Sequence, residues 1–210
     1  MKQLIRLALG AAVLMAAAIA QAVPVVTLSA TGLTTTSVAG ATVIDFNSGL
    51  CGYATCSGDY QIVLGTTSQH AQPAGTNTKY LAVPNPVSNG SAMFKLGTNA
   101  DYFGLYWGSI DNYNSISFYL AGSLVASYTG TQIVGASYAN GNRVSLNSNR
   151  YINFAFGTDL FDSVKLTSTQ FAFESDNHAY RAVAKVPEPS ALLLFLAGFM
   201  GLIAVRVRSR

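Results

Sequence analysis

The chain has 210 residues, of which 50% are hydrophobic and only 10% are charged, and its formal net charge is +3. Five of the twelve basic residues lie near the two ends, so residues 23–186 carry seven basic and eight acidic side chains and are nearly neutral. A nearly neutral part of this length fits one domain and lacks the basic surface that follows a phosphate backbone, so we expect no nucleic-acid partner.

The N-terminus has the pattern of a secretory signal peptide. Lys2 and Arg6 make a basic start, and the uncharged run over residues 7–19 is shorter than the roughly 20 residues that cross a bilayer. Ala20 and Ala22 then supply the small-x-small pattern that signal peptidase recognises. The sequence therefore predicts cleavage after Ala22 and export of the part that follows.

The two cysteines of the chain, Cys51 and Cys56, lie five positions apart in the exported part. Because thiols are oxidised outside the cytoplasm, we expect them to form a disulfide. A loop this small restricts the unfolded chain only modestly, so the bond is predicted to staple a turn. Zinc binding is disfavoured because His70 and His178 stand alone in the sequence.

Apolar and polar residues alternate with a period of two through the middle of the chain, and helical periodicity is nearly absent. This pattern predicts an all-β domain, and short strands at such spacing favour a two-sheet, jelly-roll-like sandwich, although a closed barrel would give the same local signals. The predicted strands lie near residues 43–46, 61–64, 79–83, 92–96, 102–107, 115–120, 124–128, 151–156, 163–166, 170–174 and 178–182.

Turn-forming residues separate these strands. The triplets Asn47-Ser48-Gly49, Asn140-Gly141-Asn142 and Ser175-Asp176-Asn177 are predicted turns, because Asn, Gly and Asp tolerate the positive φ values of tight turns. Residues 69–78 are polar and contain Gly and Pro without alternation, so we expect a surface loop there.

One predicted hairpin tip gathers residues that suit ligand binding. Trp107 offers an apolar platform for a sugar, and Asp111 and Asn112 offer hydrogen bonds beside it. Structural calcium is a second reading, with Asp111 and Asp176 as candidate oxygen ligands. In the third reading the Asp and Asn side chains cap turns and Trp107 fills the core. The sequence leaves these readings open.

No recognisable catalytic motif occurs in the sequence, so we expect no enzyme. A hydrolase can be assembled on paper from His178 with Asp162 or Asp176 and a serine, or from Glu174 with an aspartate. Almost any serine-rich sequence permits such combinations.

The C-terminus is a second membrane-directed segment. An uncharged, apolar stretch covers residues 191–205, and Arg206, Arg208 and Arg210 follow it. Arginines are expensive to translocate, so we expect a single transmembrane helix with its tail in the cytoplasm and the β domain outside. About 15 residues is short for a lasting span and favours a transient halt in the membrane.

Val186, Pro187, Glu188 and Pro189 precede this stretch. The prolines fix φ and remove two backbone donors, so the tetrapeptide stays extended, as a processing enzyme requires. This motif, the apolar helix and the basic end together resemble the PEP-CTERM sorting signal. The expected division is a signal peptide over residues 1–22, a β-sandwich domain over 23–185 and a sorting signal over 186–210.

The resemblance implies recognition by an exosortase, which removes the tail and passes the protein to the envelope of a Gram-negative bacterium. It further implies a location at the cell surface or in the extracellular matrix, with transient anchoring in the inner membrane. Family members are typically associated with exopolysaccharide production and with biofilm or floc formation. We therefore expect a structural or adhesive protein that touches extracellular polysaccharide. The alternatives are a carbohydrate-binding module with a site near Trp107 and Asp111 and, third, a glycoside or ester hydrolase.

Overall fold

The computed structural model describes residues 23–183, which form eleven β-strands and one helix of five residues. The predicted all-β fold is confirmed. The predicted signal peptide and sorting signal lie outside the described residues. Within residues 23–183, no helix has the length and apolar character needed to cross a membrane.

The elements follow one another along the chain with short connections. They are β1 (Val25–Leu28), β2 (Thr42–Ile44), β3 (Thr55–Gly58), β4 (Gln61–Val63), β5 (Tyr80–Val83), β6 (Gly90–Gly108), β7 (Asn114–Leu120), β8 (Ser123–Thr129), α1 (Gly130–Val134), β9 (Arg150–Ala155), β10 (Phe161–Ser168) and β11 (Phe173–Ala182).

Hydrogen bonds join the eleven strands into one large antiparallel sheet, in the order β4-β5-β11-β6-β10-β7-β8, with β9 on β6, β1 on β9, β2 on β11 and β3 on β6. Two separate sheets were expected. The difference arises from β6, whose first part pairs with β3 and β10 and whose last part pairs with β9 and β11. The strands predicted at residues 92–96 and 102–107 are both segments of β6, because Gly97 takes a positive φ of 77° without ending the strand.

Aromatic side chains fill the core between distant parts of this sheet. The ring centroid of Phe118 on β7 lies 4.9 Å from that of Phe154 on β9, although these two strands are not hydrogen-bonded neighbours. Phe103 on β6 lies 5.6 Å from Phe118 and 6.2 Å from Phe161 on β10. The sheet thus brings its two parts together around one shared aromatic core, where edge-on ring contacts add to the apolar area buried.

The predicted turn at Ser175-Asp176-Asn177 is wrong, because these residues lie inside β11. The register of β11 against β6 shifts between Asp176 and Ala179, and Asn177 has a φ of 47°. A β-bulge uses the same residue types that a tight turn uses, so the two look alike in sequence.

Cys51 and Cys56 are joined in a disulfide. Cys56 lies on β3, opposite Phe94 of β6. The bond therefore ties the loop before β3 to a strand at the margin of the sheet.

Candidate functional site

The structure places Trp107 inside the core instead of on the surface. Its side chain is 0% exposed, and its ring stacks on Phe173 with centroids 4.0 Å apart and planes 14° from parallel. The indole face is covered by the protein itself, so Trp107 provides no platform for a sugar in this structure. Asn112 is exposed at the turn, and Asp111 is only 8% exposed.

Asp111 lies in a small polar cleft, here named the Asp111 cleft, with a volume of about 220 Å³. It opens where β6 ends and β11 begins, beside the loop between α1 and β9. Its polar side chains come from parts of the sequence that are far apart: Ser109, Asp111, Tyr113, Asn140, Arg143 and Glu174.

Strand pairing brings these residues together. Glu174 of β11 lies directly opposite Gly108, the last residue of β6, so Ser109 follows next to it. Asp111 then forms an isolated antiparallel bridge with Asn140. Gly141 has a φ of 68°, and a Cβ there would overlap Asp111 Oδ1, so only glycine fits beside the carboxylate.

A single buried amide, Asn149, holds the three loops around the cleft. Its Oδ1 accepts hydrogen bonds from the amides of Ser109 at 2.9 Å and Ala74 at 3.0 Å. Its Nδ2 donates to the carbonyls of Asn142 and Ser145, both at 2.9 Å. All the donors and acceptors that an amide normally uses are engaged, which makes Asn149 the positioning residue of the cleft.

Glu174 lies deep in the cleft, with 3% of its surface exposed. Burial raises the pKa of its carboxyl to about 8, and the nearby charge of Asp111 raises it further. The Ala71 amide, which donates to Glu174 Oε1 at 2.8 Å, and Arg143 act in the opposite direction. Glu174 is therefore mostly protonated at neutral pH, so it can donate a hydrogen bond as well as accept one.

Asp111 is balanced differently. Burial raises the pKa of its carboxyl, whereas a hydrogen bond from Tyr113 and the charge of Arg143 lower it. The Tyr113 hydroxyl also donates to the carbonyl of Phe171 at 3.2 Å. Arg143 is exposed and lies at the mouth of the cleft. The cleft thus combines a carboxylate, a guanidinium group and a protonated carboxyl.

His178 lies elsewhere, enclosed in the aromatic core. Its Nε2 is 2.8 Å from Ser175 Oγ and its Nδ1 is 2.7 Å from the Tyr53 hydroxyl. Its side chain is fully buried, and the ring of Phe46 lies 4.9 Å away. Burial lowers the pKa of the His178 imidazole to about 3, so the ring is neutral.

The catalytic combination that His178 permits on paper is not assembled. Asp176 accepts hydrogen bonds from Thr78 Oγ1 at 3.2 Å and from the Asn177 amide at 2.7 Å. Asp162 accepts from the Ala121 amide at 2.8 Å. Neither carboxylate is hydrogen-bonded to His178, and the histidine and serine that do pair are both buried.

The two calcium candidates have different partners. Asp111 lies beside Tyr113 and Arg143, whereas Asp176 is bonded to Thr78 and Asn177. Among residues 23–183, no three His, Cys, Asp or Glu side chains form a group that could hold a metal ion. The structure therefore does not bring Asp111 and Asp176 into one carboxylate-rich site.

The fold defines an all-β protein with a polar cleft at one end of its longest strand. The class of protein follows from the C-terminus, where residues 185–209 match the family model of the PEP-CTERM protein-sorting motif. The chain therefore carries a PEP-CTERM sorting signal, as its VPEP tetrapeptide predicted. This motif marks an exported protein that is processed by an exosortase.

No curated protein has a sequence that matches this chain. Among solved structures, the chain is similar to CpGH89CBM32-6 produced by Clostridium perfringens, with 9% sequence identity and a TM-score of 0.33. The aligned part covers 60% of this chain and 94% of the other. This likeness is too weak to bear on fold or function.

Proposed function

We propose that this protein is delivered by exosortase to the cell surface or extracellular matrix of a Gram-negative bacterium, where its β domain has a structural or adhesive role in exopolysaccharide. The observation that carries the proposal is the sorting motif over residues 185–209. Residues 1–22 act as the signal peptide that signal peptidase removes after export, and the β domain folds as a jelly-roll-like sandwich outside the inner membrane.

The chemistry of the tail fits a detachable anchor. Residues 191–205 are apolar enough to halt in the bilayer, and the three terminal arginines stay on the cytoplasmic side. Pro187 and Pro189 keep the segment just outside the membrane extended, where an enzyme can reach it. Removal of the tail then releases the domain from the inner membrane.

The composition of the domain fits a role among neutral polymers. Residues 23–186 carry a formal charge of −1, so no strong electrostatic field drives them toward or away from a charged partner. Hydroxyl, amide and aromatic groups dominate the polar chemistry, and these groups bind sugars through hydrogen bonds and ring contacts.

Deletion of residues 186–210 in the native host, followed by fractionation and immunoblotting, tests the proposal. The truncated protein should fail to reach the envelope location of the full chain, because it lacks the segment that exosortase recognises. Restoring the same tail to the truncated chain is the matched control and should restore the location. If the truncated protein reaches the same location at the same level, the sorting proposal is wrong.

A further inference from the structure

An unpaired hydroxyl lies against the Asp111 cleft. Ser109 lines the cleft and is 3% exposed, yet its Oγ has no hydrogen-bond partner. Buried hydroxyl groups are nearly always paired, because leaving one unpaired costs stability. The backbone of Ser109 also has a φ of 43°, which is uncommon for a residue other than glycine. The fold keeps a serine where an unpaired hydroxyl is unfavourable, which points to a partner that the chain itself does not supply.

The charges around the cleft nearly cancel. The carboxylate of Asp111 and the guanidinium group of Arg143 have opposite signs, and Glu174 is mostly protonated at neutral pH. An anionic ligand would meet Asp111, and a cation would meet Arg143. The balance therefore favours a neutral ligand.

The lining also sets the ligand's hydrogen bonds and size. The accessible lining is almost entirely polar, so the cleft has little to offer an apolar ring. Asp111 accepts, Arg143 donates, and the Ser109 hydroxyl does both. A ligand with several adjacent hydroxyl groups matches this mixture. The volume of about 220 Å³ is below that of drug-sized pockets and suits one ring.

We propose that the Asp111 cleft binds one neutral sugar residue through its hydroxyl groups, with Ser109 Oγ, the Asp111 carboxylate and the Arg143 guanidinium group as direct contacts. The choice of a sugar rests on the proposed association with polysaccharide, whereas the position and the neutrality of the ligand come from the cleft. This site does not involve Trp107, so its contacts are hydrogen bonds instead of a stacking platform.

The test uses the full-length protein made and exported by its host. Binding of the methyl glycosides of glucose, galactose, mannose and glucuronic acid is measured by saturation-transfer NMR and titration calorimetry, at low and at physiological salt. At least one neutral glycoside should bind with an affinity that salt leaves unchanged, because no net charge is exchanged.

Two variants locate the site. Ser109→Ala should weaken binding about fivefold, the loss expected for one hydrogen bond, while its melting temperature stays equal or rises because an unpaired buried hydroxyl is removed. Arg143→Gln should weaken binding by a similar factor and fold normally, since Arg143 is exposed. A residue with only a structural role would lower stability and leave affinity unchanged.

Ser163→Ala is the matched control. Ser163 is also buried, but its Oγ donates to Asp162 at 2.5 Å and it does not line the Asp111 cleft. This variant should lose stability and keep the affinity for the sugar.

Three results would overturn the inference: no neutral glycoside binds, both cleft variants bind as the unchanged protein does, or only the glucuronide binds and salt abolishes its binding. The last result would identify an anion site. These outcomes are independent of sorting, because deletion of residues 186–210 leaves the cleft intact. A failure of sorting and a failure of sugar binding are therefore told apart.

Discussion

At the scale of single residues, three buried ionisable side chains determine how stability depends on pH. Glu174 has its pKa raised from 4.5 to about 8, and Asp176 has its pKa raised from 3.8 to about 6. Each contributes stability that is fully present below its unfolded pKa and is lost as pH rises through its folded pKa. His178, with its pKa lowered from 6.5 to about 3, stabilises fully above pH 6.5 and loses this contribution as pH falls.

These effects oppose one another in mild acid and separate above pH 6.5. There the contribution of His178 is constant and that of Asp176 is already lost, so Glu174 alone among the three changes stability up to about pH 8. We predict that the free energy of unfolding falls by about 1.4 kcal/mol per pH unit in this window. Glu174→Gln should remove the slope, because the amide keeps an acceptor for the Ala71 amide and does not titrate.

Urea unfolding at pH 6.5 and pH 8 measures this slope. Asp59→Asn, at an exposed carboxylate, is the control and should keep the slope of the unchanged protein. A Glu174→Gln variant that retains the full slope would show that another group is responsible.

Residue types predicted some of the site and missed the rest. Asp111 was found because Asp beside Asn marks a hairpin tip, and the core-filling reading of Trp107 fits its burial. Arg143 and Ser109 gave no local signal, since an arginine after a turn and a serine after a glycine are ordinary surface residues. Only their distance in space from Asp111 makes them part of a site.

At the scale of elements, the loops around the cleft depend on Asn149. Replacing it with Ala removes four hydrogen bonds and leaves the buried amides of Ser109 and Ala74 without their acceptor. We predict a loss of about 3 kcal/mol or more in the free energy of unfolding, because unpaired buried groups cost about 1–3 kcal/mol each.

Asn147→Ala supplies the comparison, since Asn147 is an exposed asparagine of the same loop. It should change stability by less than about 0.5 kcal/mol. Chemical denaturation of both variants checks the difference, and similar losses in the two would contradict the role given to Asn149.

The disulfide between Cys51 and Cys56 closes a loop with a sequence separation of five residues. Replacing both cysteines with serine should lower the free energy of unfolding by about 2 kcal/mol, the entropy expected for so short a loop. The variant should still fold, because the core lies elsewhere in the sheet. Circular dichroism during thermal unfolding measures the effect; a variant without cooperative unfolding would mean that the bond holds the fold together.

Alternation in the sequence predicted most strands because it records which face of each strand is buried. The strand predicted at residues 115–120 is β7, where Ile116 and Phe118 are buried and their neighbours are more exposed. β1 and β3 were not predicted, because their residues are mostly exposed and so lack an apolar face. The five-residue helix α1 is too short to show helical periodicity.

At the scale of the whole molecule, pairing between distant strands is what the sequence could not reveal. The hydrogen bond from the Ala71 amide to Glu174 joins residues 103 positions apart, and β6 pairs with four other strands. Local patterns report burial and turns but not partners, so they predicted an all-β fold without its single connected sheet. The sorting motif, by contrast, is a continuous segment and was fully readable from sequence.

Glu188 is the one charge of the sorting tetrapeptide, and we predict that it pairs with a basic group on the processing enzyme. Glu188→Gln should therefore cause the unprocessed form to accumulate on an immunoblot. Glu188→Asp keeps the charge and should be processed more completely than the Gln variant. Normal processing of Glu188→Gln would remove this carboxylate from the recognition step.

The central claim is that the C-terminal segment is a removable anchor and not part of the folded domain. Mass spectrometry of the mature protein, purified from a host that makes the cognate exosortase, tests it most directly. The account predicts a C-terminus from which the apolar stretch and the three arginines are missing. Recovery of a chain that still ends at Arg210 would contradict it.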